Sequence, residues 1–207
     1  MKAYLFDLDG TLADTDRDIR EAWKATLADL GLECPHFDRE FVAGPPIDEM
    51  TRILFPALCT AELTAAIRRG FGEHYDHDGF PHTVEYPGVM AAVRRLKAAG
   101  VGVYVATNKR YAGALGIARK FGWERVFDGI YAGDMYPGER LKKAELLRRL
   151  MAERGIAAAE ATMIGDTAGD FRAARENGIA SVAVTWGYGT AAELELADRR
   201  VSSPAEI

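Results

Sequence analysis

The sequence predicts an α/β protein, with a three-layer α/β/α core on a parallel sheet and a small α-helical domain inserted after the first strand. Three observations lead there. Five short segments rich in apolar residues recur along the 207 residues, each followed by helix-type sequence. Three of them, Val101 to Thr107, Thr162 to Gly165 and Ser181 to Val184, are apolar on both alternating faces, as strands must be when helices cover a sheet on both sides. Over ninety residues separate the first strand from the second, where a crossover needs only about a dozen.

In chain order, Ala3 to Asp7 is the first strand, an apolar run stopped by Asp7 and Asp9. From Asp16 to about His82 the periodicity is helical, with Ile19, Trp23, Leu27 and Leu30 on one stripe and Leu63, Ala66 and Ile67 on another. Gly44-Pro45-Pro46 and Gly79-Phe80-Pro81 punctuate it. We therefore expect residues 16–82 to form the inserted domain, and residues 1–15 with 83–207 to form the core. Val89 to Ala99 carries the stripe Val89, Ala92, Val93 and Leu96, and Gly100 stands where a left-handed glycine would end the helix. The strand Val101 to Thr107 follows, then the strand Asp128 to Gly133, then a helix over Lys142 to Glu153 with Leu146, Leu147, Leu150 and Met151 inward. Ala161 to Gly165 and Ala180 to Val184 complete the sheet. The basic residues of these helices are expected on solvated outer faces.

Composition narrows the function classes. With 48% hydrophobic and 28% charged residues the chain can bury a core. Its formal charge of −5, from 26 Lys plus Arg against 31 Asp plus Glu, disfavours nucleic acid or an anionic membrane as partner and points to small molecules. Cys34 and Cys59 are too few and too far apart for a disulfide framework or thiolate zinc site, so both read as free thiols. No signal-peptide core and no membrane-length apolar run is visible, and a cytoplasmic protein is expected. No motif specifies an oligomeric state.

Open parallel sheets bind ligands beyond the carboxyl ends of their strands. The first strand ends in Asp7-Leu8-Asp9-Gly10-Thr11, the second in Thr107-Asn108-Lys109, and the fourth in Gly165-Asp166-Thr167-Ala168-Gly169-Asp170. Asp7, Asp9, Asp166 and Asp170 at one edge would repel one another without a cation, and an all-oxygen set suits magnesium rather than zinc. Taken singly, Asp14 or Asp170 reads more readily as an Asx turn or a helix cap. Leu12 occupies the sixth position of any EF-hand starting at Asp7, and neither a Gly-x-x-x-x-Gly-Lys loop nor a Gly-x-Gly-x-x-Gly turn is present.

These four ordered motifs, Asp7 to Leu12, Thr107-Asn108, a lysine opening a helix, and Gly165 to Asp170, resemble those of the haloacid dehalogenase-like phosphohydrolases. The similarity is closer to the phosphoglycolate phosphatase-like branch, extends over essentially the whole chain, and includes Gly44-Pro45-Pro46, Tyr86-Pro87-Gly88-Val89 and Trp186-Gly187-Tyr188-Gly189. The resemblance implies a Rossmann-like core with a helical cap, and Mg²⁺ held by Asp7, Asp9 through its carbonyl, Asp166 and Asp170. It also implies Asp7 as nucleophile and Asp9 as acid and base. Phosphoryl oxygens would be held by Thr107, Asn108, a lysine, and backbone N–H groups around Gly10 and Thr11. That lysine is Lys142 or Lys143, with Lys143 favoured because it directly precedes Ala144-Glu145-Leu146-Leu147; Lys109 offers a second positive charge.

Hydrolysis of a small phosphate monoester, phosphoglycolate-like or nucleotide-like, is the activity so implied. A phosphomutase is the nearest rival, and a non-catalytic scaffold the third class. Substrate choice is expected in the cap around Gly44 to Pro46. Arg52 is a candidate anion contact, although a surface arginine is the commoner fate. His74, His77 and His82 read as a solvated hinge, and Trp186 and Tyr188 as packing for the loop after the last of the five strands.

Overall fold

The computed structural model describes residues 2–76 and 79–207. Its main sheet has six strands: β1 (Ala3–Phe6), β4 (Gly102–Thr107), β5 (Gly129–Ala132), β6 (Ala161–Gly165), β7 (Ala180–Val184) and β8 (Arg199–Val201). Their order is β5-β4-β1-β6-β7-β8, with every pairing parallel. β1 is central, and Phe6 lies opposite Val105 on one side and Ile164 on the other.

Alternation along the strands builds two separate apolar layers, as the period of two demands. Phe6, Val103, Val105, Ile164, Val182 and Val184 pack with α5 (Val89–Ala98) and α6 (Tyr111–Phe121). Leu5, Tyr104, Ala106 and Met163 pack with α7 (Lys143–Arg154) and α8 (Ala168–Glu176). The termini follow the expected stop signals. Gly100 adopts φ +75 after α5, where Val101 N–H bonds Leu96 carbonyl at 3.1 Å. The expected strand starting at Asp128 begins one residue later, because the Asp128 carboxylate itself accepts the Val103 N–H at 2.9 Å.

Between β1 and α5 lies the helical insertion: α1 (Asp16–Asp29), α2 (Phe37–Glu40), α3 (Ile47–Leu54) and α4 (Ala61–Tyr75). Trp23 of α1 packs against Phe41 and Phe71, with ring centroids 5.8 and 6.1 Å apart. α1 and α4 approach closely because Gly70 leaves room for Thr26, whose Cγ2 would sit 2.9 Å from a Cβ there. Three short strands escaped the sequence reading. A two-residue antiparallel pair, β2 (Ala13–Asp14) with β3 (Val84–Glu85), joins the chain entering and leaving the insertion, and is too short to display any period. The edge strand β8 begins with two arginines, a charged edge without apolar alternation. No helix among the described residues is long and apolar enough to cross a membrane. Cys34 and Cys59 are free thiols.

The return linker is fastened by the buried Asp18 of α1. Its carboxylate accepts the His82 N–H at 3.1 Å, and the Thr83 N–H and hydroxyl both at 2.7 Å. Asp18→Ala removes that acceptor and leaves buried donors unmatched at about 1–3 kcal/mol each. We expect a loss of about 3 kcal/mol in urea unfolding; a loss under about 1 kcal/mol would show that the linker does not depend on this carboxylate.

Candidate active site

Asp7 follows β1 and still joins the sheet, its N–H bonding Ile164 carbonyl at 2.8 Å. Beyond it the chain folds tightly on itself: the Leu8 carbonyl accepts the N–H groups of Thr11, Leu12 and Ala13 at 3.3, 2.9 and 3.2 Å. Gly10 has φ +75, and a Cβ there would lie 2.2 Å from Asp166 Oδ2, so conformation and approach both require glycine.

This brings Asp7 beside acids from the fourth motif. Asp166 is fully buried and accepts the Thr11 hydroxyl at 3.0 Å and the Tyr188 N–H at 2.8 Å. Asp170, in the first turn of α8, accepts the Thr167 hydroxyl on Oδ2 at 3.0 Å. The capping role weighed for Asp170 is therefore real on one oxygen, while Oδ1 lies 2.9 Å from Lys143 Nζ. Lys143, the first residue of α7, donates to Asp7 Oδ1 and to the Ala106 carbonyl, each at 2.8 Å. Lys142 is exposed, so among the two lysines it is Lys143 that enters the cluster.

Carboxylate oxygens of Asp7, Asp166 and Asp170 all lie within 4.8 Å of one another. One ammonium cannot balance three buried carboxylates, and burial followed by the Asp170 charge pushes Asp7 up to about 7. Burial, then Asp170 and Asp7, likewise raises Asp166 well above the usual carboxylate range. Burial works to lower Lys143, but Asp170 and Asp7 overcome it and keep it charged. Asp170 Oδ1, though close to Lys143, is buried without a well-aligned hydrogen bond. A surplus of buried oxygen charge with an acceptor to spare fits a hard divalent cation such as Mg²⁺.

The Asp9 carboxylate is not part of that trio. Its Oδ1 accepts both Lys109 Nζ at 2.8 Å and the Thr15 hydroxyl at 2.6 Å. Thr107 is buried and its hydroxyl accepts the Lys109 N–H at 3.1 Å; Asn108 is exposed and lines the neighbouring cavity. Within the loop the Gly10 N–H bonds Ala13 carbonyl at 2.9 Å, and the Thr11 hydroxyl orients Asp166.

That cavity, of about 100 Å³, opens between Asp9, Asn108 and Lys109 of the core and Gly44, Pro45 and Pro46 of the insertion. Arg68 and Arg110 also line it, and neither was anticipated. Arg110 directly follows the second motif, the one available signal, whereas Arg68 reaches the cavity only through the packing of α4. Arg52 instead borders a surface groove with Cys59 and Thr60. His74 bonds Asp29 at 2.6 Å and His82 lies 3.6 Å from Glu21, while His77 falls outside the described residues. Tyr188 packs as expected and does more: its hydroxyl accepts the N–H groups of Thr15 and Asp16 at 2.7 and 3.0 Å and donates to Asp14 at 2.9 Å. Trp186 Nε1 donates to the Thr11 carbonyl at 3.1 Å.

The sequence profile of the haloacid dehalogenase-like hydrolases matches residues 4–184. The chain belongs to that family. Among its relatives, a 5′-nucleotidase of Pseudomonas aeruginosa is 34% identical, the match covering 92% of this chain and 85% of that protein. A phosphoglycolate phosphatase of Chromobacterium violaceum is also 34% identical, with coverage of 100% and 95%. The crystal structure of a predicted phosphatase from Clostridium acetobutylicum superposes with a TM-score of 0.90 at 27% identity, covering 100% of this chain and 96% of that one. The resemblance to phosphoglycolate phosphatase-like members and the α/β fold are thus borne out.

Proposed function

We propose that this haloacid dehalogenase-like hydrolase is a Mg²⁺-dependent phosphomonoesterase of small metabolites, working through a phosphoryl group carried on Asp7. One observation supports this most: Asp7 ends the central strand bonded to Lys143 at 2.8 Å, against two further buried acids. Asp7 attacks phosphorus, the ester P–O bond breaks, and the leaving oxygen takes a proton from Asp9. Asp9 then removes a proton from water, which attacks the same phosphorus; inorganic phosphate leaves and the Asp7 carboxylate is restored. Lys143, with Thr107 and Asn108, meets the phosphoryl oxygens as charge grows on them. Asp7, Asp166, Asp170 and the Asp9 carbonyl would hold Mg²⁺, which when bound offsets the repulsion between carboxylate and phosphate. Residues 16–82 act as a cap over residues 1–15 and 83–207, with Gly44 to Pro46 forming its floor above Asp9 and excluding water.

Phosphate release from phosphoglycolate, nucleoside monophosphates, sugar phosphates and pyrophosphate tests the reading, each with and without Mg²⁺. We expect Mg²⁺-dependent release from at least one. Formation of an isomeric sugar phosphate without release would replace hydrolysis by a mutase, and silence throughout would sink both.

A further inference from the structure

We propose that Tyr75 of the helical insertion is a positioning residue for Asp9: the face of its ring holds the Lys109 ammonium, and Lys109 in turn aims the Asp9 carboxylate at the leaving oxygen. This rests on the phosphatase reading and assigns part of its proton-transfer step to α4. Lys109 Nζ lies 4.3 Å from the centroid of the Tyr75 ring and 2.8 Å from Asp9 Oδ1. The two side chains of that ion pair are only 5% and 10% exposed, so water neither screens the pair nor competes for the ammonium.

A lysine needs such a second contact. Its ammonium is a point charge on a flexible four-carbon stem, so an ion pair alone sets the distance to a carboxylate but not the direction from which it is met. An aromatic face attracts the cation from one side and limits where it can stand. The Thr15 hydroxyl also donates to Asp9 Oδ1, at 2.6 Å. Lys109 and Thr15 thus grip one oxygen from two parts of the chain. With Oδ1 fixed, the carboxylate can no longer turn about its Cβ–Cγ bond, and the direction of Oδ2 is set.

Tyr75 is itself held fast. Its ring stacks on Phe71 at 5.0 Å between centroids and meets Phe80 at 5.1 Å. Against the core it rests on α6 at Gly113, where a Cβ would lie 3.2 Å from Tyr75 Cε1. Phe80 docks further along the same helix over Gly116, where a Cβ would lie 2.4 Å from its ring, and it does so at φ +57, a strained conformation for a side chain of this size. Two glycines spaced i, i+3 on one face of a core helix therefore receive two aromatic rings from the end of the insertion. The Tyr75 hydroxyl adds nothing to this. It is buried without a well-aligned hydrogen bond, and burial, then the charges of Asp9 and Asp18, hold it protonated well above the ordinary phenol range. The ring face is the working part, and it meets Lys109 only while α4 lies on the core.

The test uses leaving groups, because a general acid matters for an alkoxide and hardly at all for a nitrophenolate. The values of kcat and KM are measured for an alkyl phosphate and for nitrophenyl phosphate in the wild type, Tyr75→Phe, Tyr75→Leu and Lys109→Met. In Tyr75→Leu the alkyl-to-aryl ratio of kcat should fall about 10-fold, a part of the roughly 10²- to 10⁴-fold that a general acid supplies, with KM little changed for either ester. Tyr75→Phe should keep the wild-type ratio. Lys109→Met should lower the ratio at least as far, and adding Tyr75→Leu to it should lower it no further. Fluorinated phenylalanines at position 75 keep the packing while withdrawing negative charge from the ring face. The ratio should fall stepwise with the number of fluorines, which reads the contact even if Tyr75→Leu fails to fold. Equal loss of both esters, a Phe variant as impaired as the Leu variant, additivity with Lys109→Met, or a ratio indifferent to fluorine would overturn the role of Tyr75 while leaving the phosphatase reading intact. A wild type silent on both esters would overturn the two together.

Discussion

The Asp7→Asn protein should release no phosphate from any ester and should carry none itself. The amide cannot supply the attacking oxygen, and no neighbouring carboxylate can replace it: Asp166 is held by Thr11 and Tyr188, and Asp170 by Thr167 and Lys143. Asp9→Asn differs in kind. It keeps the nucleophile and removes the proton donor and acceptor, a contribution of roughly 10²- to 10⁴-fold. Turnover should collapse by that factor, while an activated ester with a good leaving group still phosphorylates Asp7. Mass spectrometry of acid-quenched protein distinguishes the two variants. Both should fold, since Asp7→Asn removes a carboxylate that burial and Asp170 already disfavour. Its melting temperature without metal should equal or exceed that of the wild type. Phosphate found on Asp9, or normal turnover by Asp7→Asn, would refute the assignment.

What the sequence disclosed about this site follows from where its residues stand. Asp7 and Asp166 end buried strands, and strand-end acids are visible as breaks in apolar runs. The α7 lysine was narrowed to two neighbours, and helix geometry separates them: Lys143 opens the first turn toward β4, while Lys142 caps it from outside, its N–H bonded to Glu145 at 2.9 Å. Arg68 and the hydroxyl of Tyr188 were not legible, because each takes its place through tertiary packing, and Arg110 was marked only by its position after the second motif. Asp18 stands in the first turn of a helix, where an acid needs no further explanation; only the returning linker reveals it as a tether. β2, β3 and β8 are two or three residues long, below the length at which alternation carries information.

Chelation of divalent metal should abolish turnover, and Mg²⁺ should restore it, with a stabilisation that grows from acid to neutral pH. The sign follows from Asp7, whose carboxyl rises from an ordinary value near 4 to about 7 in the folded, metal-free protein. Between those values the folded state holds more protons than the unfolded one, so metal-free stability falls as pH rises through the window. Mg²⁺ needs the carboxylates ionised, and its binding expels the proton that Asp7 retains. At pH 8 and a concentration of 100 times its dissociation constant, Mg²⁺ should stabilise by about 2.7 kcal/mol, or about 5–10 °C in melting temperature for a chain of this length. At pH 5, two units below the Asp7 value, the Asp7 proton alone weakens binding about 100-fold, and with Asp166 also raised the shift that remains is about 1–2 °C at most. Thermal melts at both pH values, with EDTA and with Mg²⁺, measure this directly. Equal shifts at pH 5 and 8, or full activity in EDTA, would mean that the buried trio of Asp7, Asp166 and Asp170 is balanced by Lys143 and its hydrogen bonds without a cation.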